Sequence, residues 1–141
     1  MATANTIHVD IVSAEGEIFS GAASMVFAPG SQGDLGIAPR HAPLLTLLKA
    51  GEVRVQTPDG AEQLFFVGGG ALEVQPNKIT VLADTAIRAK DLDEAAALAA
   101  KQRAEDALRG SIDKLEQAEA MKDLLRVAEQ MKLIQKLRKG K

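Results

Sequence analysis

The chain has 141 residues, 17 Lys and Arg against 19 Asp and Glu, two His, and no Cys, Trp or Tyr. That is enough for one full-sized domain, or for a compact domain with a small appendage. The lack of cysteine excludes disulfides, thiolate zinc sites and cysteine nucleophiles and fits a reducing compartment, while a net charge of −2 without Trp or Tyr argues against a non-specific nucleic-acid binder.

The longest uncharged run, residues 18–33, contains Ser, Gly, Pro and Gln and is not expected to span a bilayer. No basic segment followed by an apolar stretch opens the chain, so no signal peptide is expected. His8 and His41 stand far apart in sequence, and no metal site is expected from them.

Up to about residue 88 the pattern repeats every two residues. Ile7, Val9 and Ile11 alternate with His8 and Asp10; Val53 and Val55 flank Arg54; Leu72 and Val74 flank Glu73; Ile79 and Val81 flank Thr80. Such alternation turns one face of a strand to a core and the other to water. Turn residues punctuate the runs at Ala14-Glu15-Gly16, Pro29-Gly30-Ser31, Pro58-Asp59-Gly60 and Pro76-Asn77. Ten of the twelve glycines fall here, Gly110 and Gly140 being the exceptions. Short strands spaced in this way predict a β-sandwich or barrel over residues 1–88.

From Asp91 the pattern changes to helical. No glycine occurs between residues 71 and 109, and Asp91-Leu92-Asp93-Glu94 opens an alanine-rich run. Asp91 as N-cap with Glu94 three residues later resembles a capping box. This predicts a first helix over about 91–109 with Ala97, Ala100, Ala104 and Leu108 on one face. Gly110-Ser111 supplies a stop, and Asp113 with Glu116 restarts a second helix over about 113–138. Its expected apolar face carries Leu115, Ala118, Met121, Leu125, Ala128 and Met131, with Leu124, Val127 and Ile134 beside them. Two helices joined so tightly form an antiparallel hairpin over 89–141, giving a two-part α+β chain.

Charge divides with these parts. Residues 1–88 hold five basic and nine acidic groups, whereas 111–141 hold eight and five. The tail contributes Lys122, Arg126, Lys132, Lys136, Arg138, Lys139 and Lys141, and the first four are spaced along one flank of the helix. One reading is a solvated face with cations favoured at a helix C-terminus; the other is a basic amphipathic helix that docks on an acidic protein surface.

Motifs of catalysis are scarce. There is no phosphate-binding G-x-x-x-x-G-K-[ST] loop and no G-x-S-x-G elbow. The run Gly30-Ser31-Gln32-Gly33-Asp34-Leu35-Gly36 lacks the lysine and helix that a phosphate loop needs and reads as a tight turn. Gly68-Gly69-Gly70 reads as a bulge or close backbone approach. Pro39-Arg40-His41-Ala42-Pro43 brackets a histidine between two prolines, either as a plain structural turn or to fix where the imidazole points.

These residues also carry a family likeness. Gly33-Asp34-Leu35-Gly36-Ile37 with Pro39 and His41-Ala42-Pro43-Leu44 resembles the signature loop of the ε subunit of F-type ATP synthases. So do Gly69-Gly70-Ala71-Leu72-Glu73-Val74, Val81-Leu82-Ala83-Asp84-Thr85-Ala86-Ile87, and the opening Val9 through Glu15 with Phe19-Ser20-Gly21. The likeness runs from about residue 7 to 109 in order and register; the last thirty residues match in type more than in letter.

The resemblance implies a sandwich of about ten strands and a C-terminal helical hairpin. It implies a rotor subunit without an active site or cofactor of its own, peripheral on the cytoplasmic face of the bacterial inner membrane and attached to the membrane only through the complex. The implied partners are the γ subunit, the ring of c subunits, and the catalytic β (and α) subunits. Asp34 and His41 would meet the c ring, and the hairpin would inhibit ATP hydrolysis, with Lys122, Arg126, Lys132 and Lys136 docking on an acidic part of β. A family ATP motif, [IL]-D-x-x-R-A, stands here as Leu92-Asp93-Glu94-Ala95-Ala96-Ala97. Ala96 replaces the arginine while Arg103 keeps a later basic position, so weak or absent ATP binding is expected. The competing readings are a nucleotide-sensing module and a free-standing adaptor.

Overall fold

The computed structural model describes residues 5–110 and 113–139, without the Lys139 side chain. Ser111 of the expected helix stop, and Lys141 and the Lys139 side chain of the basic tail, lie outside the described residues. Eight strands come first: β1 (Ile7–Ser13), β2 (Gly16–Ala23), β3 (Met25–Gly30), β4 (Gly33–Ile37), β5 (Leu44–Gln56), β6 (Glu62–Gln75), β7 (Lys78–Ala83) and β8 (Ala86–Arg88). A 3-10 turn (Ala89–Asp91) leads to α1 (Glu94–Gly110) and α2 (Lys114–Lys139). The chain divides into two compact units, the first closing at Lys90 and the second opening at Asp91.

Hydrogen bonding runs without a break through β2-β1-β7-β6-β5-β3-β4, and β8 pairs with β6 at Phe65–Val67. Among the described residues, only β1 and β7 pair in parallel. Folded over, this sheet is a β-sandwich around one core, with Ile7, Val9 and Ile11 from β1, Ile79 and Val81 from β7, and Val53 and Val55 from β5 all fully or almost fully buried. The alternating residues read from the sequence are these inward-facing ones.

The described strands number eight, against the expected ten or so, because β5 and β6 are each continuous through both layers. In β6 the inward residues are Phe65 and Val67, then Leu72 and Val74. Odd positions give way to even ones across Gly68-Gly69-Gly70. In β5 inward Leu48 gives way to Val53 and Val55 across Gly51. A pleated strand changes parity only where a residue falls out of step. Here the ladder skips Lys49 and Gly69 together and resumes in the same register, Leu48 opposite Gly70 and Ala50 opposite Gly68, so both strands change at once and no bulge forms. Gly69 and Gly70 supply the backbone for this change at φ 106° and 139°, a region costly for any residue with a Cβ.

In the helical unit, Asp93 rather than Asp91 is the N-cap of α1. Its Oδ1 accepts from the Ala95 N–H at 2.9 Å and the Ala96 N–H at 3.3 Å, whereas Asp91 closes the 3-10 turn. Glu94 therefore stands at the first helical position and the capping-box spacing does not apply. Asp113 caps α2 as expected, accepting from the Leu115 N–H at 2.9 Å. Ala97 and Ala104 are buried on the expected face of α1.

The second helix is turned relative to the expectation. Ala120, Val127 and Ile134 are buried, while Leu115, Met121 and Leu125 are exposed. The core shared by the helices consists of Ala97, Val127 and Ile134, with Leu92, Ala100 and Met131 packed on it. Apolar residues occupy two sides of α2, so periodicity alone cannot choose which one packs.

Candidate functional site

Asp34 and His41 lie at opposite ends of β4. Asp34 is exposed beside the β3–β4 turn, opposite Pro29 in the ladder. His41 lies beyond the other end of the strand, with Asp34 to Ile37 alone spanning about 10 Å at strand spacing. The His41 ring donates from Nδ1 to the carbonyl of Ala42 at 2.7 Å. Next to it Arg40 holds a left-handed backbone at φ 65° and donates its N–H to the Pro76 carbonyl at 2.8 Å. The loop thus fixes the imidazole as the bracketing prolines suggest, without bringing it to Asp34.

An apolar stripe runs along the strand that follows this loop. Leu45, Leu47 and Leu82 keep 75%, 65% and 52% of their surface exposed. In the ladder Leu47 stands opposite Ala71, Ala71 opposite Leu82, and Leu82 opposite Val12. Directly paired residues share a face, so the stripe crosses β5, β6, β7 and β1 on the outside of the sheet. The Ser31 N–H donates to the Leu47 carbonyl at 2.8 Å, which sets the turn before Asp34 against one end of the stripe. Grouped exposed leucines mark contact surfaces more often than scattered ones do. The signal in the sequence was Leu44-Leu45-Thr46-Leu47-Leu48, since four leucines in five positions cannot all face one side of a strand.

Farther along the same face, Asp10 gathers donors from three strands. Its Oδ1 accepts from the Ser20 hydroxyl at 2.7 Å and lies 2.8 Å from His8 Nε2, and its Oδ2 lies 3.2 Å from Lys78 Nζ. The Ser20 hydrogen bond foremost, then His8 and Lys78, hold the carboxyl at about 2, against burial, which raises it. Ser20 Oγ and Asp10 both meet the imidazole at Nε2. A base-activated nucleophile needs the two on opposite ring nitrogens, so the cluster is a cross-strand clasp.

The residues of the ATP-like motif are occupied in building the hairpin. Leu92 and Ala97 belong to its core, Asp93 caps α1, and Ala96 offers a methyl group where the motif has a guanidinium. Arg103 and Arg126 line a groove of about 880 Å³ between α1 and α2, together with Glu116, Glu119 and Asp123. Arg126 Nη1 lies 3.5 Å from Asp123 Oδ1. Three carboxylates against two guanidiniums make a poor cradle for a polyphosphate.

Of the four basic residues on the flank of α2, Lys122, Lys132 and Lys136 are exposed, while Arg126 is half-buried in that groove. At 100° per residue, Met121, Leu125, Lys122, Lys132 and Lys136 fall within an arc of about 100°. The exposed side of α2 is therefore apolar and mainly cationic, with Glu129 in the same arc 3.3 Å from Lys132 Nζ.

The sandwich falls in the ATP synthase delta/epsilon class: the family model described as ATP synthase, Delta/Epsilon chain, beta-sandwich domain matches residues 6–89. Curated relatives named ATP synthase epsilon chain match almost end to end. That of Nitrosococcus oceani is 61% identical over 136 residues, covering 96% of this chain and 97% of the relative. That of Halorhodospira halophila is 55% identical over 137 residues, covering 96% of each. The chain belongs to the ATP synthase epsilon chain family, a subunit of the F-type ATP synthase. The fold is shared with a chain of the Euglena gracilis mitochondrial ATP synthase, solved with OSCP, F1 and c-ring, at TM-score 0.77 and 15% identity over 88% of this chain and 78% of that one. A chain of the central stalk and c-ring of the Tetrahymena thermophila mitochondrial enzyme aligns at TM-score 0.58 and 16% identity, over 91% and 96%.

Proposed function

We propose that this chain is a non-catalytic rotor subunit: the sandwich joins the γ subunit to the c ring, and the hairpin restrains ATP hydrolysis. The observation that carries the reading is the stripe of Leu45, Leu47 and Leu82, exposed on an otherwise well-alternated sheet. Covering what Leu45, Leu47 and Leu82 leave exposed is worth about 3–6 kcal/mol in all, a substantial share of what a partner needs to offset the cost of association. We assign the stripe to γ. The turn bearing Asp34 and the loop bearing His41 are assigned to the polar loops of the c ring, as two contacts separated along β4.

The mixed apolar and cationic face of α2 suits an acidic amphipathic surface, which we assign to the catalytic β subunit with Lys122, Lys132 and Lys136 as the docking cations. Arg126 acts by holding the groove between the helices. A nucleotide-sensing role is disfavoured by Ala96 and the carboxylates of that groove. The place of action is the cytoplasmic face of the bacterial inner membrane, reached through the complex; no helix among the described residues is long and apolar enough to cross a membrane.

Because the chain has no cysteine, Leu47→Cys and Leu82→Cys each give a unique thiol. A maleimide should label both rapidly on the isolated subunit and slowly in the assembled synthase. Equal labelling in the two states would remove the stripe from the interface.

A further inference from the structure

The chain leaves the sandwich through its shortest strand. β8 is three residues long and pairs only with Phe65, Phe66 and Val67 of β6. A strand so short has few ladder bonds and would fray if nothing else held it. Ala86 packs into the core at one end, and Arg88, its last residue, supplies a polar hold at the other. Its Nη2 donates to the Ile18 carbonyl of β2 at 2.7 Å and its Nη1 to Gln63 Oε1 of β6 at 3.3 Å. The guanidinium also lies 5.6 Å from the centre of the Phe65 ring, itself fully buried 5.5 Å from Phe19. One side chain thereby ties β8 to two other strands, using a fork that lysine lacks.

Just past this point the 3-10 turn Ala89–Asp91 leads to the hairpin: Ala89 is still buried, the first unit closes at Lys90, and then Leu92 enters the helical core and Asp93 caps α1. We infer that Arg88 is a positioning residue that fixes where the hairpin departs, confining any movement of the hairpin to a pivot at Lys90–Asp91. Two extended residues span at most about 7 Å, so this anchor keeps the helices on a short tether. Without it the tether lengthens by the whole of β8 and the hairpin samples a wider range. The inference rests on the reading of the hairpin as movable.

The test compares wild type with Arg88→Ala, Arg88→Lys and Gln63→Ala. Hydrogen exchange of the 86–88 amides is read on the full-length subunit, and distance distributions between a label on the sandwich and one on α1 are read in the assembled complex. Arg88→Ala should speed exchange at 86–88 at least tenfold, leave β1 and β7 protected, and widen the distance distribution. Arg88→Lys should not rescue it, and Gln63→Ala should give a smaller change in the same direction. Unchanged exchange at 86–88 in a folded Arg88→Ala protein overturns the clamp, as does an unchanged distance distribution. If Arg88→Ala does not fold, the same readouts on Gln63→Ala decide. A wild-type subunit that fails to inhibit hydrolysis would count against the proposed function alone, since exchange at β8 reports the clamp regardless.

Discussion

A Cβ built on Gly70 would lie 2.1 Å from the carbonyl oxygen of Leu82, the neighbouring backbone of β7. The close approach occurs where β6 changes parity, and it lets one strand serve both layers of the sandwich. Gly70→Ala must therefore push two backbones apart as well as strain a φ of 139°. The expected loss is about 3 kcal/mol or more, among the large values that single substitutions reach. Gly16→Ala is the control: its φ is 126°, but a Cβ there meets nothing within 4 Å, so backbone strain alone should cost about 1–2 kcal/mol. Urea unfolding of the two variants side by side checks the difference.

The clasp around Asp10 predicts a pH dependence. Its carboxyl sits at about 2 in the folded chain, below the ordinary 3.8, so the folded state favours the ionised form. The contribution is complete above pH 4 and disappears as pH falls through 2. Asp10→Asn should destabilise the chain by about 1 kcal/mol at pH 7 once solvent screening is allowed for. The gap between variant and wild type should close towards pH 2, as measured by urea unfolding at several pH values. A constant gap would show that the carboxylate charge is not the cause.

Nucleotide binding should be feeble. Isothermal titration of ATP into the isolated subunit is expected to show no saturable binding tighter than about 1 mM, equivalent to roughly −4 kcal/mol. Ala96→Arg alone should not bring micromolar affinity, because Glu116, Glu119 and Asp123 still line the groove. Micromolar binding by the wild type would refute the assignment.

Inhibition should divide the four basic residues of α2. Changing Lys122, Lys132 and Lys136 to alanine should relieve ATPase inhibition in the assembled complex, and added salt should produce the same relief in wild type, since exposed charge pairs are weak and screened. Arg126→Ala should act through the packing of α1 and α2 and loosen the hairpin, seen as faster hydrogen exchange at Ala104 and Val127. Full inhibition by the triple variant would remove these lysines from docking.

Much of the sandwich was legible because period-two alternation has one solution wherever a strand is apolar on one side only. Ile7-Val9-Ile11, Val53-Val55 and Ile79-Val81 all face the core as read. What escaped was the joining of runs across glycine, since a parity change looks like a strand boundary. The helix face of α2 escaped for a related reason: leucines lie on two sides, and the side that packs is settled by α1. The exposed lysines could be found from spacing alone. The leucine stripe could not, because Leu44-Leu45-Thr46-Leu47-Leu48 does not say which leucines face out. The separation of Asp34 from His41 along β4 likewise depends on where the strand ends.

The stripe on the sandwich is the most direct point of attack. Leu47→Asp combined with Leu82→Asp places two carboxylates on a solvent-facing surface, so the isolated subunit should keep its fold and melting temperature within a few degrees. The measurement is its co-purification with the γ subunit. We expect the double variant to be lost from the complex while wild type is retained in equal stoichiometry. Stoichiometric recovery of the charged variant with γ would contradict the account.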